Sequence, residues 1–198
     1  MKTVCLVTGN SGKAASLQKK LKKYDINVEQ VKLDLVEIQS DDLEEVSVNK
    51  AKQAFKILKK PLVVDDSGFF IKKLNGFPGV YIKYVLGVIG VDGIMDIMKD
   101  KDNRECTFKS VVTFVDANGK TKVFEGDLEE GIIADEIDKK DCSEAWSELW
   151  KIFIPKGYNK TLSQFSPEER ENRNAKMKEK TAFKKFTDWI VPNIEGKL

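Results

Sequence analysis

The sequence of 198 residues contains no histidine. That absence removes serine–histidine and cysteine–histidine catalysis, imidazole general bases and histidine-based zinc sites together. A carboxylate is then the expected catalytic base, and a hard cation on oxygen ligands the expected metal. Cysteine is scarce as well. Cys5, Cys106 and Cys142 are scattered and odd in number, with neither a zinc spacing nor a disulfide framework, which points to a reducing compartment. No apolar run approaches membrane-spanning length, and Met1-Lys2-Thr3 opens into a short apolar strand without a signal-peptide pattern. A cytoplasmic protein without membrane contact is expected. An excess of charge is also missing: 34 Lys+Arg stand against 32 Asp+Glu, a net +2. Nucleic-acid binders usually carry a strong basic excess, so no nucleic-acid partner is expected.

What is present suits one domain over residues 1–198, long enough to bury a core without disulfides or metal staples. Thr3 to Thr8 reads as a buried strand ending at Gly9-Asn10. Ala14, Leu17, Leu21 and Tyr24 then recur at helical spacing among lysines. Val28 to Leu35 alternates as a second strand, and Val48, Ala51, Phe55 and Leu58 mark a helix introduced by the acidic run Asp41 to Glu45. Pro61 to Val64 is a short apolar strand expected to stop at Asp65-Asp66, and Gly93 to Met98 is expected to be helical. Cys106 to Val115 and Thr121 to Phe124 flank Asn118-Gly119, a strong hairpin signal. Ala182, Phe183, Phe186, Trp189 and Ile190 form one face of a C-terminal helix. The order of elements indicates an α/β protein with an antiparallel portion in the middle.

Four segments could carry chemistry. Thr8-Gly9-Asn10-Ser11-Gly12-Lys13 lies between a strand and a helix, where glycines admit a ligand and helix-start N–H groups favour phosphate. It is not a Walker A loop, because Gly9 and Gly12 are too close together. An ordinary strand-to-helix turn would look the same. Glu37 sits just past a strand, and Asp65-Asp66-Ser67-Gly68 follows an apolar one. Open α/β sheets place ligand sites at such strand ends, and two such carboxylates suffice for Mg²⁺ together with substrate phosphates. Solvated turn acids are the alternative. In Asn75 to Lys83, two glycines and a proline specify a rigid loop from which Lys83 could face an anion; a solvated lysine is the plainer reading.

Taken in order, these segments resemble the inosine triphosphate pyrophosphatase family, whose members hydrolyse non-standard purine triphosphates such as ITP and XTP. The family's Thr-Gly-Asn-x-x-Lys corresponds to Thr8–Lys13 and its Leu-x-Glu-x-Gln to Leu35–Gln39. Lys50 in Val46–Ala51, Asp65-Asp66-Ser67-Gly68, and Gly76–Lys83 continue the series. The resemblance implies an α/β fold with a long mixed sheet and two lobes around a central cleft, hydrolysis of NTP to NMP and pyrophosphate with Mg²⁺, and a homodimer. It further implies that Thr8, Gly9, Asn10, Ser11, Gly12, Lys13, Lys50, Asp66, Ser67 and Lys83 bind substrate. Glu37 and Asp66 would hold the metal, and Asp66, Lys13 and Lys50 would act in catalysis.

The base-reading half departs from the pattern. The family's Phe-Gly-Trp-Asp-Pro is represented at best by Ala145-Trp146-Ser147-Glu148, where Trp146 keeps a ring for stacking; an ungapped match instead selects Leu149-Trp150. Its Ser-His-Arg should fall between Arg170 and Ala182 and is absent there, and Ser16 replaces a glutamate of the first helix. Lost hydrogen-bonding groups of this kind shift or relax base discrimination. Two other readings remain: a nucleotide-binding or interaction module of the same fold without activity, and the related pyrimidine-directed pyrophosphatases, whose Ser-x-Ser-Pro-Arg opening is missing here.

Overall fold

The computed structural model describes residues 2–126, 129–143, 145–177 and 181–196. The chain divides into two units, one of residues 1–67, 110–127 and 179–198, the other of residues 68–109 and 128–178.

In the first unit β1 (Lys2–Val7) lies parallel between β2 (Ile26–Val31) and β3 (Leu62–Ile71), with Val4 opposite Val28 and Leu6 opposite Val63. Helices cover β1 on both faces. Val4 and Leu6 pack with Leu17 and Leu21 of α1 (Ser11–Leu21) and with Phe186 and Ile190 of the C-terminal helix. Cys5 and Val7 pack with Ala51 and Ala54 of α2 (Leu43–Leu58). A strand buried on both faces needs apolar residues at every position, which is why Val4 to Val7 shows no alternation.

Two boundaries differ from the sequence expectation here. The second strand ends at Val31, and residues 32–38 have no regular structure although Leu33 and Leu35 still pack against the α2-side core. The third strand does not stop at Asp65-Asp66 but runs on to Ile71. Beyond Ser67 it finds a new antiparallel neighbour in β4 (Pro78–Gly79), with Phe69 opposite Gly79. With β5 (Glu105–Val115) also beside it in the sheet, β3 is carried past two aspartates whose own propensity disfavours a strand.

The second unit has its own core of Phe69, Ile94, Met98, Leu149, Phe153 and Phe165. Its helix α3 (Ile82–Met98) starts well before the expected Gly93, and the glycines that hid it are real: Gly90 interrupts it at φ 66°, ψ −168°. The first half of β5 (Glu105–Val115) pairs antiparallel with β7 (Glu129–Ile133), which pairs with β8 (Phe153–Pro155). The hairpin forms as Asn118-Gly119 requires. In the first unit the second half of β5 meets β6 (Thr121–Glu125), Gly119 adopts φ 80°, and Asp116 Oδ1 accepts from the N–H groups of Asn118 and Lys120. Two helices close the chain, α4 (Pro167–Met177) and α5 (Ala182–Ile190). Ladders link the strands in the order β2-β1-β3-β5-β7-β8, with β4 on β3 and β6 on β5. This is the long mixed sheet of an α/β protein.

Candidate active site

The site is built where β1 ends and β3 continues. The last β1–β3 pair is Val7 with Val64, so the two residues after Val64 on β3 are not paired with β1. Thr8–Asn10 lead from β1 into α1, whose Lys13 reaches β3. Thr8 N–H donates to Val31 O at 3.0 Å, and Gln30 Nε2 donates to Thr8 O at 2.9 Å, which ties the loop to the end of β2. Asn10 caps α1: its Oδ1 accepts from Gly12 N–H at 2.9 Å and Lys13 N–H at 3.3 Å, while Asn10 N–H donates to Thr8 Oγ1 at 3.1 Å. These N–H groups, expected to face phosphate, are thus engaged by the cap. What remains for an anion is the positive end of α1 and open space over Gly9, where an added Cβ would meet nothing within 4 Å.

Successive strand residues face opposite sides of a sheet. Val63 belongs to the α1-side core, Leu62 and Val64 to the α2-side core, and the alternation carries on into the aspartates. Asp65 meets Lys13 of α1, whose Nζ lies 2.9 Å from Asp65 Oδ2 and donates to Asp65 O at 3.1 Å and Ser67 Oγ at 3.2 Å. Asp66 meets Lys50 of α2 at 2.6 Å through Oδ1, and the same ammonium reaches Glu37 Oε1 at 2.9 Å. Each acid of the Asp-Asp pair therefore receives one lysine, from opposite layers.

Burial pushes the Asp65 carboxyl above the ordinary carboxylate range, with Lys13 opposing. For Lys50 burial pulls the other way, but Asp66 and Glu37 together outweigh it and hold the ammonium above its usual range. The second oxygen of Asp66, Oδ2, is buried with no hydrogen-bond partner. A buried carboxylate oxygen left unpaired is costly and calls for explanation by function. With Glu37 and Asp66 already converging on one cationic atom, the donor set suits a hard divalent ion. Among the described residues no group of three or more Asp, Glu, Cys or His side chains could hold a metal by itself. Such a sparse set fits Mg²⁺, which takes one or two carboxylates and completes its shell with substrate oxygens and water.

Two of the expected residues belong to the second unit. Lys83 is exposed in the first turn of α3. Trp146 is 44% exposed, its ring edge-on to Phe108 at 5.7 Å and to Trp150 at 6.2 Å. Trp150, the alternative of the ungapped match, is buried in that unit's core. The stretch between Arg170 and Ala182 continues α4 to Met177, and residues 178–180 lie outside those described. The sequence motifs did not single out Asp65 as a partner for Lys13, nor Gln53. Gln53 Oε1 accepts from Val36 N–H at 3.1 Å and its Nε2 donates to Val36 O at 2.7 Å, beside Glu37. The only signal was position: Gln53 follows Lys50 by one helical turn on α2.

Residues 4–189 match the model of the Ham1 family. This chain belongs to the Ham1 family. It is 37% identical over 194 residues to a dITP/XTP pyrophosphatase of Methanopyrus kandleri, covering 98% of this chain and 99% of that one. It is 34% identical over 182 residues to Inosine triphosphate pyrophosphatase 2 of Trypanosoma cruzi, covering 91% of this chain and 90% of that one. Among solved structures, a HAM1 protein from Coxiella burnetii superimposes with TM-score 0.79 at 23% identity, over 97% of this chain and 100% of that one. The Ham1 protein of Staphylococcus aureus gives TM-score 0.73 at 23% identity, over 98% and 99%. These two share the Ham1 fold. The resemblance carried by the first 85 residues thus extends over nearly the whole chain.

Proposed function

We propose that this protein is a nucleoside triphosphate pyrophosphatase of the Ham1 family, converting non-standard purine triphosphates of the ITP/XTP type to NMP and pyrophosphate with Mg²⁺. The activity is inferred from the dITP/XTP pyrophosphatases that resemble it over nearly their full length. The observation that carries the site is the pair of lysine–aspartate contacts on opposite faces of β3, with Asp66 Oδ2 unpaired.

In this reading Lys13, Lys50 and Ser67 bind the triphosphate, which lies against the turn Thr8, Gly9, Asn10, Ser11 and Gly12 over the open space at Gly9 and the positive end of α1, and Glu37 and Asp66 hold Mg²⁺. The bound ion would neutralise charge on the phosphates. Asp66 Oδ2 orients a water and takes its proton as the water oxygen bonds to the α-phosphorus. The bond from that phosphorus to the α–β bridging oxygen breaks, and pyrophosphate leaves with the electron pair. Lys13 and Lys50 stabilise the charge that develops on it. The resemblance adds Lys83 as a cation and Trp146 as a ring for stacking, both exposed in the second unit.

A homodimer is part of the same proposal. Tyr81, Tyr84 and Val88 are exposed at helical spacing at the start of α3, preceded by exposed Phe77, an apolar stripe suited to a second copy. A reducing, cytoplasmic setting is supported by three free cysteines. No helix among the described residues is long and apolar enough to cross a membrane.

The test is pyrophosphate release from ITP, XTP, dUTP, ATP and GTP with Mg²⁺, comparing wild type with Asp66→Asn. Release of NMP and pyrophosphate by wild type, lost in the variant, is the expected result. Binding without turnover on every substrate would make the chain a nucleotide-binding module instead.

A further inference from the structure

Glu37 is an awkward metal ligand on local grounds. It sits in residues 32–38, which have no regular structure, and its side chain is 49% exposed. A carboxylate on such a segment samples many positions, and each one frozen on metal binding weakens that binding. Something must hold the segment in advance.

The chain on either side of Glu37 shows how. Leu35 is packed against the α2-side core. At Val36, which is itself 72% exposed and gains little from packing, the side-chain amide of Gln53 takes both main-chain groups. Its Oε1 accepts from Val36 N–H and its Nε2 donates to Val36 O, the two-bond exchange that a neighbouring strand would provide. The amide is oriented in turn, since the second Nε2 hydrogen goes to Asn49 Oδ1 at 2.6 Å, one turn earlier on α2. Asn49 and Gln53 flank Lys50 on the same helix, and Lys50 meets Glu37 and Asp66. One helix therefore carries both the cation and the amide that bring Glu37 to it.

We propose that Gln53, oriented by Asn49, is a positioning residue for the metal site: it pins the Val36 peptide so that Glu37 is preset beside Asp66. The inference rests on the metal reading of Glu37 given above. Gln53 bonds to Val36 and Asn49, and its effect on the metal passes through Glu37.

The variant to test it is Gln53→Met, which keeps the length of the side chain and a good helix former while removing all three hydrogen bonds. Equilibrium Mn²⁺ binding, followed by electron paramagnetic resonance, is measured for wild type, Gln53→Met, Glu37→Gln and the double variant. Gln53→Met is expected to bind Mn²⁺ about tenfold more weakly, and the double variant no more weakly than Glu37→Gln alone, because the second change acts through a ligand already lost. The Mg²⁺ needed for half-maximal pyrophosphate release should rise by the same factor, and the Val36 amide should exchange faster while the amides of α2 do not. Unchanged Mn²⁺ affinity in Gln53→Met, or additive losses in the double variant, would overturn the positioning role. If wild type binds Mn²⁺ no better than Glu37→Gln does, Glu37 is not a metal ligand; the metal reading then fails, and this inference with it.

Discussion

Lys13 and Lys50 are held by neighbouring aspartates, and the burial of Asp65 has a measurable consequence. Folding buries Asp65 and, against the pull of Lys13, raises its proton affinity above that of the unfolded chain. Above the unfolded value of about 3.9 the folded state then binds more protons, so stability falls as pH rises through the raised folded value. In Asp65→Asn that fall disappears. Thermal unfolding from pH 4 upward should show the variant gaining on wild type as pH rises, while its pyrophosphate release drops because Lys13 has lost its guide. Lys50→Met leaves Glu37 and Asp66 facing each other without their cation, and kcat should drop by about 10²-fold or more. Burial also pushes the Cys5 and Cys106 thiols up, away from the reactive thiolate. Brief iodoacetamide treatment of the folded protein should therefore label only Cys142, as read by mass spectrometry. The motif segments Thr8–Lys13, Leu35–Gln39 and Asp65–Gly68 were legible in the sequence because each is a local string of residues. The Lys13–Asp65 contact and the Gln53–Val36 exchange were not, since both depend on which face of which element is turned to which neighbour.

At the level of elements, α2 carries the cation of the site and begins with a defined cap. Asp42 Oδ1 accepts from Glu44 N–H at 2.8 Å and Glu45 N–H at 3.3 Å. Asp42→Ala should destabilise the protein by about 1 kcal/mol, lowering Tm by roughly 2–4 °C at this chain length, with full activity retained once folded. Further along the same helix, Ser47 shares a hydrogen bond at 2.9 Å with Thr113 of β5, both fully buried. Ser47→Ala strands the Thr113 hydroxyl and should cost about 1–3 kcal/mol in denaturant unfolding; adding Thr113→Val should recover part of it. The apolar spacing of α2 and α5 announced both helices in advance. The full extent of α3 and β3 was hidden, because glycines within one and aspartates within the other carry propensities that only tertiary ladders and packing override. The short strands β7 and β8 lack any local signature for the same reason.

For the molecule as a whole, the α/β class could be read from the order of elements, whereas the strand order could not, because pairing partners are distant in sequence. The association state is tested at this scale. Tyr84, 73% exposed, lies in the α3 stripe proposed for a second copy. Tyr84→Glu should convert a dimer to a monomer in light scattering, and an unchanged mass would remove that face from consideration. One feature of β3 also constrains how the site can vary. Because side chains alternate, the two aspartates work as a parity code: one answers the layer of α1, the other the layer of α2. Inserting or deleting a single residue after Val64 would exchange the two layers and present each lysine with the wrong neighbour. A change of two would keep the faces but slide both acids about 6.6 Å along the strand, out of reach of both ammonium groups. The site can therefore exchange side chains, but β3 cannot gain or lose a residue between Val64 and Asp65 without disturbing both contacts.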